Sequence, residues 1–122
     1  MPIITVELVG ESADVPERTL AQVLADSIGR ALASPPGQTW VRLRWLARHD
    51  YAENDSSLSA DQLPVFITII KRKMPSPVEL QAEVAAVTEA VAAAVGRASD
   101  QIHVEYAPPG AGRVSFGGKV VQ

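Results

Sequence analysis

Pro2 is the residue with the most chemistry open to it. Methionine is normally trimmed before a small second residue, and loss of Met1 would expose a secondary amine on a rigid ring. An α-amino group titrates near ~8, already close to working pH. Burial against apolar walls and nearby cations both disfavour its ammonium form and lower that value further. A neutral amine can then take a proton from a substrate and return it elsewhere. With Met1 retained, the same proline is only a strand start. Pro64 cannot act in this way, because its nitrogen is locked in an internal amide. Arg72 is the second candidate, flanked by Lys71 and Lys73. Guanidinium grips a carboxylate through two parallel hydrogen bonds, fixing orientation as well as charge. The alternative for this cluster is a solvated strand end.

Other chemistries are poorly supplied. There are no cysteines, which removes disulfides and thiolate catalysis. His49 and His103 have no cluster of ligand-spaced partners, and there is no phosphate loop, dinucleotide fingerprint or nucleophile elbow. No metal or cofactor is therefore expected. The acidic run 49–62, with Asp50, Glu53, Asp55 and Asp61, reads as a solvated connector rather than as paired catalytic carboxylates. The net charge of −3 argues against a nucleic-acid partner. No apolar stretch approaches the ~20 residues that span a bilayer, and the N-terminus does not read as a signal peptide, so a cytoplasmic location is expected by default.

The elements that must position these residues come in a doublet. Residues 2–9 and 64–71 are Ile/Val-rich strand patterns, each opened by a proline, which a strand's first position tolerates. Asp14-Val15-Pro16-Glu17 and Ser76-Pro77-Val78-Glu79 are capping boxes with a proline in the first turn. Apolar stripes follow at helical spacing: Leu20, Val23, Leu24, Ile28, Ala31 and Leu32 in one, Leu80, Val84, Val87, Val91, Ala94 and Val95 in the other. Ser34-Pro35-Pro36-Gly37 stops the first helix and Gly96 caps the second. Strands Thr39–Arg48 and Ile102–Tyr106 complete the units, with His103 and Glu105 on one strand face. Pro2/Pro64, Asp14/Ser76 and Glu17/Glu79 all match at a shift of 62 residues.

One domain, 1–122, is expected: a β-α-β unit at 2–48, the connector 49–62, a second unit at 63–106, and a C-terminal turn and short strand at 107–122. The fold class is α+β, a two-layer α/β arrangement. Two fused β-α-β units form a four-stranded sheet with two helices on one face.

The start Pro2-Ile3-Ile4, the strand end Ile69-Ile70-Lys71-Arg72 and Ser115-Phe116-Gly117-Gly118 near the C-terminus, in this order, resemble the tautomerase superfamily. The doubled length resembles its long-chain members, among them macrophage migration inhibitory factor, malonate semialdehyde decarboxylase and the cis-3-chloroacrylic acid dehalogenases. The resemblance implies a catalytic Pro2 and a carboxylate-holding Arg72, with Lys73 beside it. It also implies substrate contacts by Arg42 and Phe116, and by His103 and Glu105 reaching into a neighbouring subunit of a homotrimer. Arg42 and Arg44 could equally form interface salt bridges. Phe116 could equally be core packing. Relatives with tyrosine and asparagine at the His103 and Glu105 positions show that those roles do not transfer directly. Short tautomerases carry an arginine just after the first strand, where this chain has Glu11-Ser12. A dicarboxylate would lack that clamp.

The implied activity is tautomerisation of a small 2-keto or 2-hydroxy-alkenoate acid without a cofactor. The alternatives are a proline-dependent decarboxylase, a hydratase or dehalogenase of a three-carbon acid, a non-enzymatic ferredoxin-like binding module, or a partner-binding protein on the tautomerase fold.

Overall fold

The computed structural model describes residues 1–12 and 17–122. The alternating run at the N-terminus forms β1 (Ile3–Val9), with Ile4, Val6 and Leu8 wholly buried and Ile3, Thr5 and Glu7 less so. Helix α1 (Glu17–Ala31) follows and leads to β2 (Trp40–Leu46). The second unit repeats this order as β3 (Val65–Ile70), α2 (Pro77–Val95) and β4 (Ile102–Tyr106). Between the units, residues 49–62 are almost wholly exposed, as a solvated connector requires.

The sheet runs β2-β1-β3-β4. β1 pairs in parallel with β2, β3 in parallel with β4, and β1 with β3 antiparallel. Each unit thus keeps its two strands side by side. The split β-α-β order of the ferredoxin-like fold is not the one found.

Strand faces follow the period of two. Ile4, Val6 and Leu8 share the inward face with Val65, Ile67 and Ile69, and both helices cover it through Leu20, Leu24, Ile28, Val87 and Val91. The opposite face, which carries Thr5, Arg42, Thr68 and Glu105, has no helix on it among the described residues. This pattern revises the repeat. The inward set of β1 maps onto that of β3 at 61 (Ile4 to Val65) or 63 (Ile4 to Ile67), never at 62. A shift of 62 aligns Pro2 with Pro64 but would turn one strand inside out. Pro2 therefore shares its phase with the buried face, whereas Pro64 stands one residue out of step.

Local signals hold where they are described. Ser76 accepts from the Glu79 backbone N–H at 3.3 Å while the Glu79 carboxylate accepts from Ser76 N–H at 3.2 Å. Gly96 closes α2 at φ 70° and donates to Ala92. The capping box expected at Asp14–Glu17 lies outside the described residues. Ser76→Ala is expected to lower stability by about 1 kcal/mol, read as a shift in urea midpoint at unchanged slope. No shift would mean that the cap is not holding α2. The Glu79 carboxyl is held below its usual pKa by the Ser76 side chain, then by the Ser76 backbone. Its contribution is present above the unfolded value and fades as pH falls through the folded one.

The expected C-terminal turn and short strand take the form of a hairpin, β5 (Ser115–Phe116) and β6 (Lys119–Val120). Gly117 and Gly118, at φ 56° and 85°, make its two-residue turn. Positive φ at both central positions is what a type I′ turn requires. No described helix is long and apolar enough to cross a membrane.

Candidate active site

One end of the sheet gathers the residues with chemical potential. Pro2 is buried just before β1, and its carbonyl accepts from Trp40 N–H at 3.1 Å. Because Ile3 faces Ile70 in the antiparallel pair, Pro2 and Lys71 are the next residues outward on neighbouring strands. Both lie on the helix side, Pro2 in phase with Ile4 and Lys71 in phase with Ile69. After β4 the chain runs on beside β3: Ala107 N–H donates to Ile69, Gly110 to Lys71 and Ala111 to Arg72. This brings the C-terminal hairpin back to the same end, where Phe116 meets Trp40 edge-on with centroids 4.9 Å apart.

Lys71 donates to Glu83 of α2 at 2.5 Å, with side-chain exposures of 25% and 19%. The other oxygen of that carboxylate accepts the Tyr106 hydroxyl at 2.6 Å. One carboxylate thus fixes a cation just past β3 and a phenol at the end of β4. Burial, then the hydrogen bond to Glu83, then its charge, push the Tyr106 phenol far above its ordinary value. Tyr106 remains a proton donor across all working pH.

Sequence reasoning about the site missed Lys71 as an inward-facing group, and with it Glu83, Tyr106 and Trp40. A signal existed for two of them. Lys71 continues the inward phase of Val65, Ile67 and Ile69, and Glu83 sits three residues after Leu80 and four before Val87 on the apolar side of α2. An ionisable residue in each pattern invites a partner, since charges seldom enter such a face unpaired.

The other candidates divide between this sheet end and the opposite face. The Arg72 guanidinium donates to the Gln122 carbonyl, tying down the C-terminal segment at the same sheet end. Lys73 is exposed in the turn before α2. Arg42, Thr5, Thr68 and Glu105 form one register row across the uncovered sheet face. Arg42 donates to Thr5 Oγ1 at 3.4 Å, and Thr68 Oγ1 donates to Glu105 at 3.0 Å. Residues of this row border a cavity of about 530 Å³. His103 lies further along β4, beside Phe66 with centroids 5.5 Å apart. Within one chain, Arg42, Glu105 and His103 are thus on the face opposite Pro2.

Tyr51 and Tyr106 are the chain's two tyrosines. The hydrogen bond to Glu53, then burial and the Glu53 charge, push Tyr51 up to about 12. Folded phenols above the unfolded value of ~10 stabilise the fold below pH 10, and that contribution is lost as pH rises past it. The native protein is expected to show flat phenolate absorbance to about pH 11, with stability already declining above pH 10. A native tyrosine titrating at its ordinary value would contradict the Glu53 and Glu83 contacts.

No family model matches the sequence, and no curated protein matches it. Solved structures do. A fused 4-OT symmetric trimer is 15% identical with a TM-score of 0.73, over 98% of this chain and 94% of that one. The macrophage migration inhibitory factor of Trichinella spiralis is 15% identical with a TM-score of 0.72, over 97% and 98%. An FG41 malonate semialdehyde decarboxylase inhibited by 3-bromopropiolate is 23% identical with a TM-score of 0.71, over 94% and 88%.

Proposed function

We propose that this chain, which has the tautomerase fold, moves a proton on a small 2-keto or 2-hydroxy-alkenoate acid with the Pro2 amine as the base. The observation that carries this reading is the seating of Pro2: a buried, inward-facing residue beside Lys71, at the sheet end where Trp40 and Phe116 also meet. Freed of Met1, the amine would take the C3 proton of the keto acid, leaving an enolate, and the proton would return to oxygen or to a conjugated carbon. Lys71 has three N–H donors and commits one to Glu83. The remaining two would meet negative charge developing on the substrate, where a fixed donor is worth most. Arg72 and Lys73, at the same strand end, would draw in and hold the carboxylate. Arg72 would then exchange its Gln122 partner for the substrate.

Arg42, Glu105 and His103 fit this reading in an assembly. The uncovered sheet face would lie against neighbouring subunits in a homotrimer such as the fused 4-OT forms, placing those side chains at another subunit's site. Light scattering is expected to return three times the chain mass.

A decarboxylase reading has one observation in its favour. Glu83 neutralises Lys71, which weakens the local field that would otherwise drive the proton off Pro2. A cationic Pro2 would act as an acid. The deciding experiment is phenylenolpyruvate ketonisation by protein whose mass shows Met1 removed, followed across pH. A base loses rate on acidification through the amine pKa, and an acid loses it on alkalinisation. Absence of ketonisation would overturn the tautomerase reading.

A further inference from the structure

Lys71 and Glu83 pair at 2.5 Å with both side chains largely withdrawn from solvent, and Tyr106 holds the second Glu83 oxygen at 2.6 Å. The strand register, with Ile3 opposite Ile70, continues outward to Pro2 beside Lys71. An unpaired ammonium at Lys71 would repel a second one on the Pro2 ring and drive its proton off. Paired with Glu83, Lys71 presents a compact dipole, whose field fades with distance far more steeply than that of a lone charge. We propose that Glu83 is a positioning residue that sets the lower pH limit of the Pro2 base, by closing off the charge of Lys71. This rests on the reading that Pro2 acts once Met1 has left.

The other described charges on the neighbouring elements are exposed. Arg72 turns to the Gln122 carbonyl, and Lys73 lies in the turn before α2. Glu79 is committed to Ser76 and Arg30 donates to Ser27, while Arg113 and Lys119 stand in the C-terminal segment. Water screens such groups; the same two charges interact roughly four times more strongly at a protein-like dielectric of about 20. The Lys71–Glu83 pair therefore dominates. Loss of the Glu83 charge raises the potential at the amine whichever partner of the pair lies nearer. The anion that favours the ammonium is gone, and the cation that opposes it stands uncompensated. The amine then gives up its proton at lower pH. A purely architectural Glu83, bracing α2 against the sheet, would change stability and leave the amine where it was.

Direct nitrogen NMR of Met1-free protein carrying isotope-labelled proline reads this amine alone, because every other proline nitrogen is an amide. Glu83→Gln keeps the size of the side chain and is expected to lower the Pro2 titration midpoint by about one pH unit or more. Lys71→Met is expected to raise the midpoint by a similar amount, and it decides the matter if the glutamine at 83 prevents folding. Tyr106→Phe removes the hydroxyl contact but keeps both charges, and should leave the midpoint in place. An unmoved midpoint in either charge variant, or an equal shift in Tyr106→Phe, would overturn the inference. The titration needs no turnover. If wild-type protein ketonises nothing, the reading of Pro2 as a catalyst fails while the midpoint still reports on Glu83. Where ketonisation is seen, the acid limb of kcat/KM in Glu83→Gln should move down with the midpoint, since that limb reports the free enzyme's base. A limb that stays put sinks the proposal.

Discussion

Replacing Pro2 with alanine is expected to cut ketonisation by about 10²-fold or more while leaving the melting curve in place, the low end of what a positioned base contributes. The fold should not register the change, because the contact Pro2 makes is through its carbonyl to Trp40 N–H, which alanine keeps. Alanine also permits loss of Met1, so a primary amine remains, but on a chain end free to rotate. What disappears is the ring that aims the lone pair. Residual activity at the 1% level is therefore compatible with the mechanism. Pro2→Leu goes further, since a bulky second residue retains Met1 and buries the amine in an amide, and that variant should be inactive. Parallel mass spectra are needed to know which terminus each protein carries. Full activity in Pro2→Leu would remove the amine from the reaction altogether. Incubation with 3-bromopropiolate, which inhibits one of the structural neighbours, offers a second check. An adduct mapping to Pro2 agrees with a neutral, nucleophilic amine, and one elsewhere does not.

Leu24→Ala is expected to be the most damaging conservative change tested against stability. Leu24 sits mid-way along α1 with no exposed surface, in the core cluster that also holds the inward residues of β1 and β3. Truncating such a side chain costs about 3 kcal/mol, the lost transfer energy plus the cavity left behind. For a chain of this length the melting temperature should fall by roughly 10 °C. Val23, the preceding residue, is 42% exposed and provides the control. Val23→Ala should change stability by no more than about 0.5 kcal/mol. Equal losses in the two variants would mean that α1 does not present the face described. Because the helices hold the sheet from the side that carries Pro2 and Lys71, Leu24→Ala should also loosen the site, seen as activity falling at a lower temperature than in wild type.

Glu83 links these two levels. It belongs to the helix layer yet positions Lys71 and Tyr106 of the sheet. Removing its charge would leave a largely buried ammonium unpaired, a change that acts on both stability and site geometry.

What the sequence determines by itself is everything set within a few residues. Strand phases, the apolar stripes of both helices, the Ser76–Glu79 box, the Gly96 cap and the Gly117-Gly118 turn are each dictated by local sterics and hydrogen bonding. The order of elements follows, and with it the doubled β-α-β plan. The fold could be anticipated because each of these signals agrees with the others. Pro2 could be singled out for a similar reason, since the chemistry proposed for it depends on its own ring and its place in the chain. The tertiary structure alone decides which elements become neighbours. Lys71 and Glu83 are 12 residues apart, Tyr106 and Glu83 are 23 apart, and no local period links them. The odd offset between the repeats and the edge-on meeting of Trp40 and Phe116 arise from strand pairing and from the chain returning beside β3. Periodicity states which face a side chain takes. Only packing states what that face meets.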